Sequence, residues 1–309
     1  MKIQSYLLTP MLGLALIAAK PAVCATLPDI TGSPQMVITL LKGAGGSRPD
    51  NLGPDDIAVQ VGKNRVPIAH LQRLSGDLAN MQLFVFLDDS TRSGSLGTHL
   101  GELKAFFNSL PATTQVAVGY MRNGTVAMAQ DFTVDHQKAV DALRLPMSMV
   151  GVNGSPYFAL TEAVKLWPAQ ATGRRAVLML TDGVDPYNGS ADLDDPYMDQ
   201  AIHGALKHGV MVYSIYLRGA GRAGQNGRAT AFGQAHLIEV GDETGGYAYF
   251  EDFRDPVTIT PFLDDLIDRL DHQYLVTLGP LNEKGFEAAK VHTESKGLKV
   301  VGPTRVYVP

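Results

Sequence analysis

Residues 81–95 read MQLFVFLDDSTRSGS. From Met81 to Leu87 only Gln82 is polar. A run without alternation is the mark of a strand covered on both faces, as in the middle of a parallel sheet. The run stops on Asp88 and Asp89, and Ser90, Thr91 and Ser93 follow with Arg92 among them. A central strand ending in oxygen donors places them at the carboxyl edge of its sheet, where doubly wound sheets take their ligands.

Outward from this stretch the same rhythm repeats. LGTHLGELKAFFNSL (96–110) sets Leu96, Leu100, Leu103, Phe106, Phe107 and Leu110 on one helical face. TQVAVGYM (114–121) and GTVAMAQDF (124–132) read as strands, and DHQKAVDALRL (135–145) as a helix capped by Asp135. SPYFALTEAVKLW (155–167) is a helix with Ser155 as cap and Pro156 at its first position. RRAVLMLTDG (174–183) is a second buried strand ending on an aspartate, Asp182. A helix over 195–209, a strand over 210–217, a helix over 230–246, an edge strand over 247–252 and an amphipathic helix over 259–273 complete the alternation. Strands alternating with helices predict an α/β fold: a doubly wound, mostly parallel sheet with helices on both faces.

The flanks differ. QMVITLLKG (35–43), IAVQVG (57–62) and RVPIAHL (65–71) are short β runs separated by Gly, Pro, Asn and Asp. The tail returns to β at 274–279, 286–294, 298–302 and 304–309. The expected organisation is an N-terminal β segment (26–80), an α/β domain (81–272) and a C-terminal β segment (273–309) that pairs with the first to form a small β-sandwich. Lys2, the apolar YLLTPMLGLALIAA and the small residues before Ala25 read as a signal peptide over 1–25, cleaved near Ala25. That predicts export to the periplasm or beyond the cell, with no membrane span in the mature chain.

The 309 residues are 45% hydrophobic and carry a net charge of −5, with Lys and Arg scattered, so no nucleic-acid groove is expected. Cys24 is the only cysteine and lies in the leader, which excludes disulfides, thiolate catalysis and cysteine-held metals from the mature protein. GAGRAG (219–224) spells a dinucleotide fingerprint, but a further glycine follows in QNGRA where the helix should already run, so a flexible loop is the favoured reading. The aspartates of SADLDDPYMDQ (190–200) lack calcium-loop spacing, and Asp264, Asp265, Asp268 and Asp271 read as a solvated helix face. The histidines show no paired metal-ligand spacing, and no Ser-His-Asp order is present.

Asp88, Ser90, Ser155 and Asp182 are expected at one sheet edge. Two carboxylates with hydroxyls form a hard oxygen set suited to Mg²⁺, Mn²⁺ or Ca²⁺. These residues resemble the von Willebrand factor A domain and its metal-ion-dependent adhesion site, where Asp-x-Ser-x-Ser follows the first strand, a Thr precedes a middle helix and an Asp lies in TDG. Asp88, Ser90 and Asp182 match; GSPYFALTEAV is similar to the middle helix, and DETGGYAYF to the turn before the last strand. HQYLVTLGP with the closing RVYVP resembles exported bacterial proteins related to this family, common in acidobacteria. The pattern departs at Arg92, which stands at the second Ser, and at Gly154 or Ser155, which stands at the Thr.

Three readings of the edge stay open. A cation is held by Asp88, Ser90, Ser155 and Asp182 with Arg92 turned outward; or Arg92 takes the cation's place; or the aspartates only cap loops and helix ends. A shifted register, Asp89-x-Thr91-x-Ser93, is the lesser variant of the first. The resemblance implies a non-enzymatic, exported protein-binding function, with a partner docking at the edge formed by Asp89, Thr91, Arg92, Ser93 and Asp185. The alternatives are a metal-dependent hydrolase using Asp88 and Asp182, or a structural envelope protein whose metal site is vestigial.

Overall fold

The computed structural model describes residues 33–43, 46, 48, 52–76, 79–91, 93–147, 154–167, 174–187, 195–219, 226–295 and 297–309. The leader over 1–25, Arg92 and all of GAGRAG except Gly219 lie outside the described residues. The chain opens with β1 (Gln35–Lys42), β2 (Ala58–Val61), β3 (Asn64–Val66) and β4 (Ile68–Arg73). It continues through β5 (Met81–Asp88), α1 (Ser93–Ser109), β6 (Gln115–Arg122), β7 (Thr125–Thr133), α2 (His136–Asp141), α3 (Pro156–Val164) and β8 (Arg174–Thr181). Then follow α4 (Pro196–Lys207), β9 (Val210–Tyr216), α5 (Gly227–Thr244), β10 (Tyr247–Tyr249) and α6 (Thr260–Asp271). Strands β11 (Gln273–Leu278), β12 (Gly285–His292), β13 (Leu298–Val301) and β14 (Arg305–Val308) close it.

The central sheet has the order β10-β9-β8-β5-β6-β7, parallel except for the β6–β7 hairpin. Counting these strands from β5, the order is 3-2-1-4-5-6, that of a doubly wound sheet. Alternation along β5 explains its unbroken apolar run. Leu83, Val85 and Leu87 join the core under α1 and α6, while Phe84 and Phe86 join the opposite core under α3 and α4. Every residue of β8 and β9 is buried as well.

Two four-stranded antiparallel sheets, β13-β1-β11-β4 and β14-β12-β2-β3, flank this unit. They enclose one core that includes Ile38, Leu40, Val59, Val61, Val276, Leu278 and Val306. Strand β1 pairs with β11 and β13, and β2 pairs with β12, so each sheet is built from both N-terminal and C-terminal strands; the two alternate in the first sheet and meet at the β12–β2 seam in the second. The run 65–71, read as one strand, divides at Pro67: β3 pairs with β2 in one sheet and β4 with β11 in the other. Proline lacks the N–H that a continuous ladder needs.

Two helical expectations are corrected. α2 stops at Asp141 rather than running to 145. Leu145 precedes Pro146, which disfavours helix there. The Tyr120 hydroxyl also draws the chain away, accepting from the Arg144 amide at 2.7 Å. The acidic face of α6 is not simply solvated. Asp265 accepts from Tyr249 Oη at 2.8 Å and from Arg269, and Asp268 accepts from Arg48 Nη1 at 2.8 Å. α6 has no side-chain cap of its own, and Glu102 of α1 serves instead, accepting from the amides of Ile259 (2.9 Å) and Thr260 (2.7 Å).

Gly119 of β6 is a close-packing position, since a Cβ there would lie 2.6 Å from Cζ of Phe84. Gly119→Ala is expected to destabilise the fold by about 1–3 kcal/mol through overpacking. In urea unfolding, the Gly119→Ala, Phe84→Leu double variant should lose less than the sum of the two single losses, because the smaller side chain vacates the space the methyl needs.

Candidate metal and partner site

Leu87 of β5 lies beside Leu180 of β8, so the next residues, Asp88 and Thr181, emerge side by side at the carboxyl edge. α1 packs on one face of the sheet and α4 on the other, which makes the β5–β8 junction the switch point where the chain leaves in opposite directions. Asp88 is buried, and both its oxygens accept hydrogen bonds. Oδ1 takes the Ser90 amide (2.8 Å) and hydroxyl (2.6 Å), and Oδ2 takes the Thr181 hydroxyl (2.7 Å). Asp182 is buried beside it, its Oδ1 accepting from the Val184 amide at 3.0 Å. Gly219 closes over Asp182: a Cβ at 219 would stand 1.9 Å from Oδ2, so only glycine fits.

Burial pushes the Asp182 carboxyl up to about 7, and the neighbouring charge of Asp88 adds to the rise. Asp88 is also raised by burial, with the hydrogen bonds from Ser90 and Thr181 opposing. Two buried carboxyls this close cannot both ionise cheaply; they retain a proton or attract a cation. The donors fit a hard divalent cation in kind: Asp88 and Asp182 supply charge, and the Ser90 hydroxyl is already drawn to Asp88. No group of three or more His, Cys, Asp or Glu is placed to hold a metal among the described residues, so the remaining coordination positions would fall to water or a partner's oxygen.

The site opens into a cleft of about 230 Å³ lined by Asp88, Ser90, Arg122, Asn123, Met147 and Gly154, among others. Asp89 also lines it and is held in place. Arg144 donates to both its oxygens (2.7 and 3.1 Å), and the Met147 amide donates to Oδ1 (2.9 Å). Burial would raise the Asp89 carboxyl, but these donors and the charges of Arg144 and Arg122 hold it below the usual range.

Several of the residues assigned from sequence are placed differently. Ser155 is fully buried and its hydroxyl is saturated: it accepts from the Tyr157 and Phe158 amides, capping α3, and donates to Asp185 at 2.6 Å. With one proton and two lone pairs in use, it has no lone pair left for a cation beside Asp88; Gly154, one residue earlier, lines the cleft instead. The shifted register fails because β5 ends at Asp88, Asp89 is locked by Arg144, and the Thr91 hydroxyl donates to the Asp88 carbonyl at 2.6 Å. Thr91 and Asp185 are buried and form no exposed partner edge, while Asp89, though largely buried, lines the cleft. Ser93 begins α1. The reading that puts Arg92 in the cation's place falls outside the described residues. Thr181, Arg122, Arg144 and Gly219 were missed. Thr181 had a signal in its position just before Asp182, whereas Arg144 meets Asp89 across 55 residues and had none.

Two outcomes test this description. In EDTA, a carboxyl raised from 3.8 to about 7 weakens the fold as pH rises between those values, because the unfolded chain releases the proton first; above about 7 the effect is flat. Asp182→Asn removes this component, so the melting-temperature difference between variant and native protein should widen by several degrees from pH 4 to 7 and then stay constant. Arg144→Leu strands a buried carboxylate, and its cost in urea unfolding should be roughly 3 kcal/mol, the low end for a broken buried pair given Arg144's partial exposure.

No protein-family model matches the chain, and no curated protein matches it either. Among solved structures, it is similar to an aerotolerance-related membrane protein from Bacteroides fragilis at 13% identity and TM-score 0.44, over 62% of this chain and 98% of that one. A von Willebrand factor type A protein from Catenulispora acidiphila aligns at 11% identity and TM-score 0.42, over 92% and 75%. The three N-terminal domains of the type V pili tip protein Mfa5 from Porphyromonas gingivalis align at 9% identity and TM-score 0.44, over 90% and 69%. These similarities are too low to carry the assignment, which rests on the strand order. The switch point between β5 and β8, the antiparallel β7 beside β6 and the aspartates at the carboxyl edge give the chain a doubly wound α/β fold, the fold that its resemblance to the von Willebrand factor A domain implies.

Proposed function

We propose that this chain is an exported protein-binding module that receives an acidic side chain of its partner at the β5–β8 edge, through a divalent cation held by Asp88, Ser90 and Asp182. The observation that carries the reading is a pair of buried carboxyls, both raised by burial and Asp182 further by the charge of Asp88, with Asp88 lining the cleft. A cation there relieves their repulsion, and its open coordination positions accept an anionic oxygen. At about 230 Å³ the cleft is smaller than the roughly 300–1,000 Å³ usual for small-molecule sites, which favours a single inserted side chain over a hydrolase substrate. Export rests on the segment 1–25, and among the described residues no helix is long and apolar enough to cross a membrane.

Thermal unfolding with Mg²⁺, Mn²⁺, Ca²⁺ or EDTA tests the cation. A metal at a hundred times its Kd should stabilise the fold by about 2.7 kcal/mol. Asp182→Asn should abolish the response and Ser90→Ala should weaken it. An unchanged melting temperature with all three metals and with EDTA would end the cation reading. N-terminal sequencing of protein recovered outside the cytoplasm tests export; a mature chain starting near residue 26 is the expected result.

A further inference from the structure

Met147 and Asn123 line the cleft, and apolar groups lie beyond each of them. On one side the segment after α2 folds back over the site. The Met147 amide is tied to Asp89, and its sulfur accepts from Arg122 Nη2 at 2.6 Å. Met147 and Leu145 are nonetheless about half exposed, at 51% and 50%. On the other side the Asn123–Gly124 hairpin tip lies against Gly154 and against Phe158: a Cβ at Gly124 would be 3.2 Å from that of Phe158. The Phe158 ring packs 5.4 Å from Tyr187, which is 54% exposed. Arg122 lines the cleft with its side chain 42% exposed, its nearest carboxylate contact, to Asp89, being 3.9 Å long. Asp89 is already neutralised by Arg144 at 2.7 Å, so the charge of Arg122 faces the opening.

We infer that this rim docks an extended segment of a partner protein in which one Asp or Glu is flanked on both sides, within two positions, by apolar or aromatic residues. The inference deepens the proposed function and rests on the same cleft. The acidic side chain enters beside Met147 and takes a charge-assisted hydrogen bond from Arg122 at one oxygen, its other oxygen turned toward Asp88, where a bound cation would meet it. The flanking residues cover Met147 and Leu145 on one side and Tyr187 with Phe158 on the other. Apolar contacts around a desolvated polar centre are the usual anatomy of a binding hot spot. Successive side chains of an extended chain point to opposite faces, so neighbours one or two positions from the acid reach the two sides.

The test is selection from a random-peptide display library on the full chain with saturating Mg²⁺, followed by affinity measurement of an enriched peptide against variants. Enriched sequences should carry an acid between apolar neighbours. Arg122→Gln and Tyr187→Ser should each weaken binding by about tenfold, or about 1.4 kcal/mol, at a temperature where thermal unfolding shows each variant still fully folded. Binding that survives EDTA yet depends on Arg122 and Tyr187 supports this inference and removes the cation from the function. Binding lost in EDTA but indifferent to both variants overturns the inference and leaves the cation standing. Enriched peptides without an acid, or a library that yields none, also overturn it.

Discussion

Strands β5 and β8 run side by side through the middle of the sheet with apolar side chains buried on both faces, and this lateral pairing constrains everything at the site. Seven registered pairs, from Met81–Arg174 to Leu87–Leu180, leave little freedom in where the strands end. A slip of one residue would turn Phe84 and Phe86 into the core that holds Leu83, Val85 and Leu87. With the register fixed by packing, Asp88 and Thr181 must meet at the edge, and Asp182 must follow within reach of the charge on Asp88.

The edge that results is electrostatically tense at one point and quiet at the next. Asp88 and Asp182 are both buried and raised by that burial, and the charge of Asp88 raises Asp182 further. Asp89, their immediate neighbour, is held low by Arg144, Arg122 and a backbone amide. The contrast follows from what each carboxyl meets. Asp88 is given neutral hydroxyl and amide donors, which satisfy its lone pairs without cancelling its charge. Asp89 is given a guanidinium, which does both. Adjacent residues of one type therefore play opposite parts: one is left needing a positive charge, the other serves as an anchor for the cleft wall.

The flanking sandwich ties this unit at its far end. β11 follows α6 directly and pairs with β1 and β4, so the last helix of the α/β unit is joined to strands from the start of the chain. Arg174, at the start of β8, donates to the carbonyl oxygens of Leu270 and Ala79 and to Gln273 at 3.2 Å, bridging sheet, helix end and sandwich. Arg305 of β14 reaches across to Glu243 of α5 at 3.1 Å. Such contacts brace the end of the sheet opposite the cleft and leave the carboxyl edge open.

How much of this was legible depends on the range of the force concerned. Unbroken apolar runs named β5, β8 and β9, because burial on both faces leaves no polar alternation. Ser155 before Pro156 and Asp195 before Pro196 named two helix starts, because a cap bonds amides two or three residues away. The ends of the strands thus gave Asp88 and Asp182 as candidates from local pattern alone. What the hydroxyl of Ser155 does was not legible. Its three hydrogen-bonding positions are filled by its own helix and by Asp185, thirty residues on, and no spacing rule foretells that. Nor was the neutralisation of Asp89 by Arg144, the closure of Gly219 over Asp182, or the capping of α6 by Glu102. The sequence by itself determined which residues must be inside and where each chain segment ends; only the tertiary structure decided which of the polar groups delivered to the edge find a partner, because those partners come from segments far away along the chain.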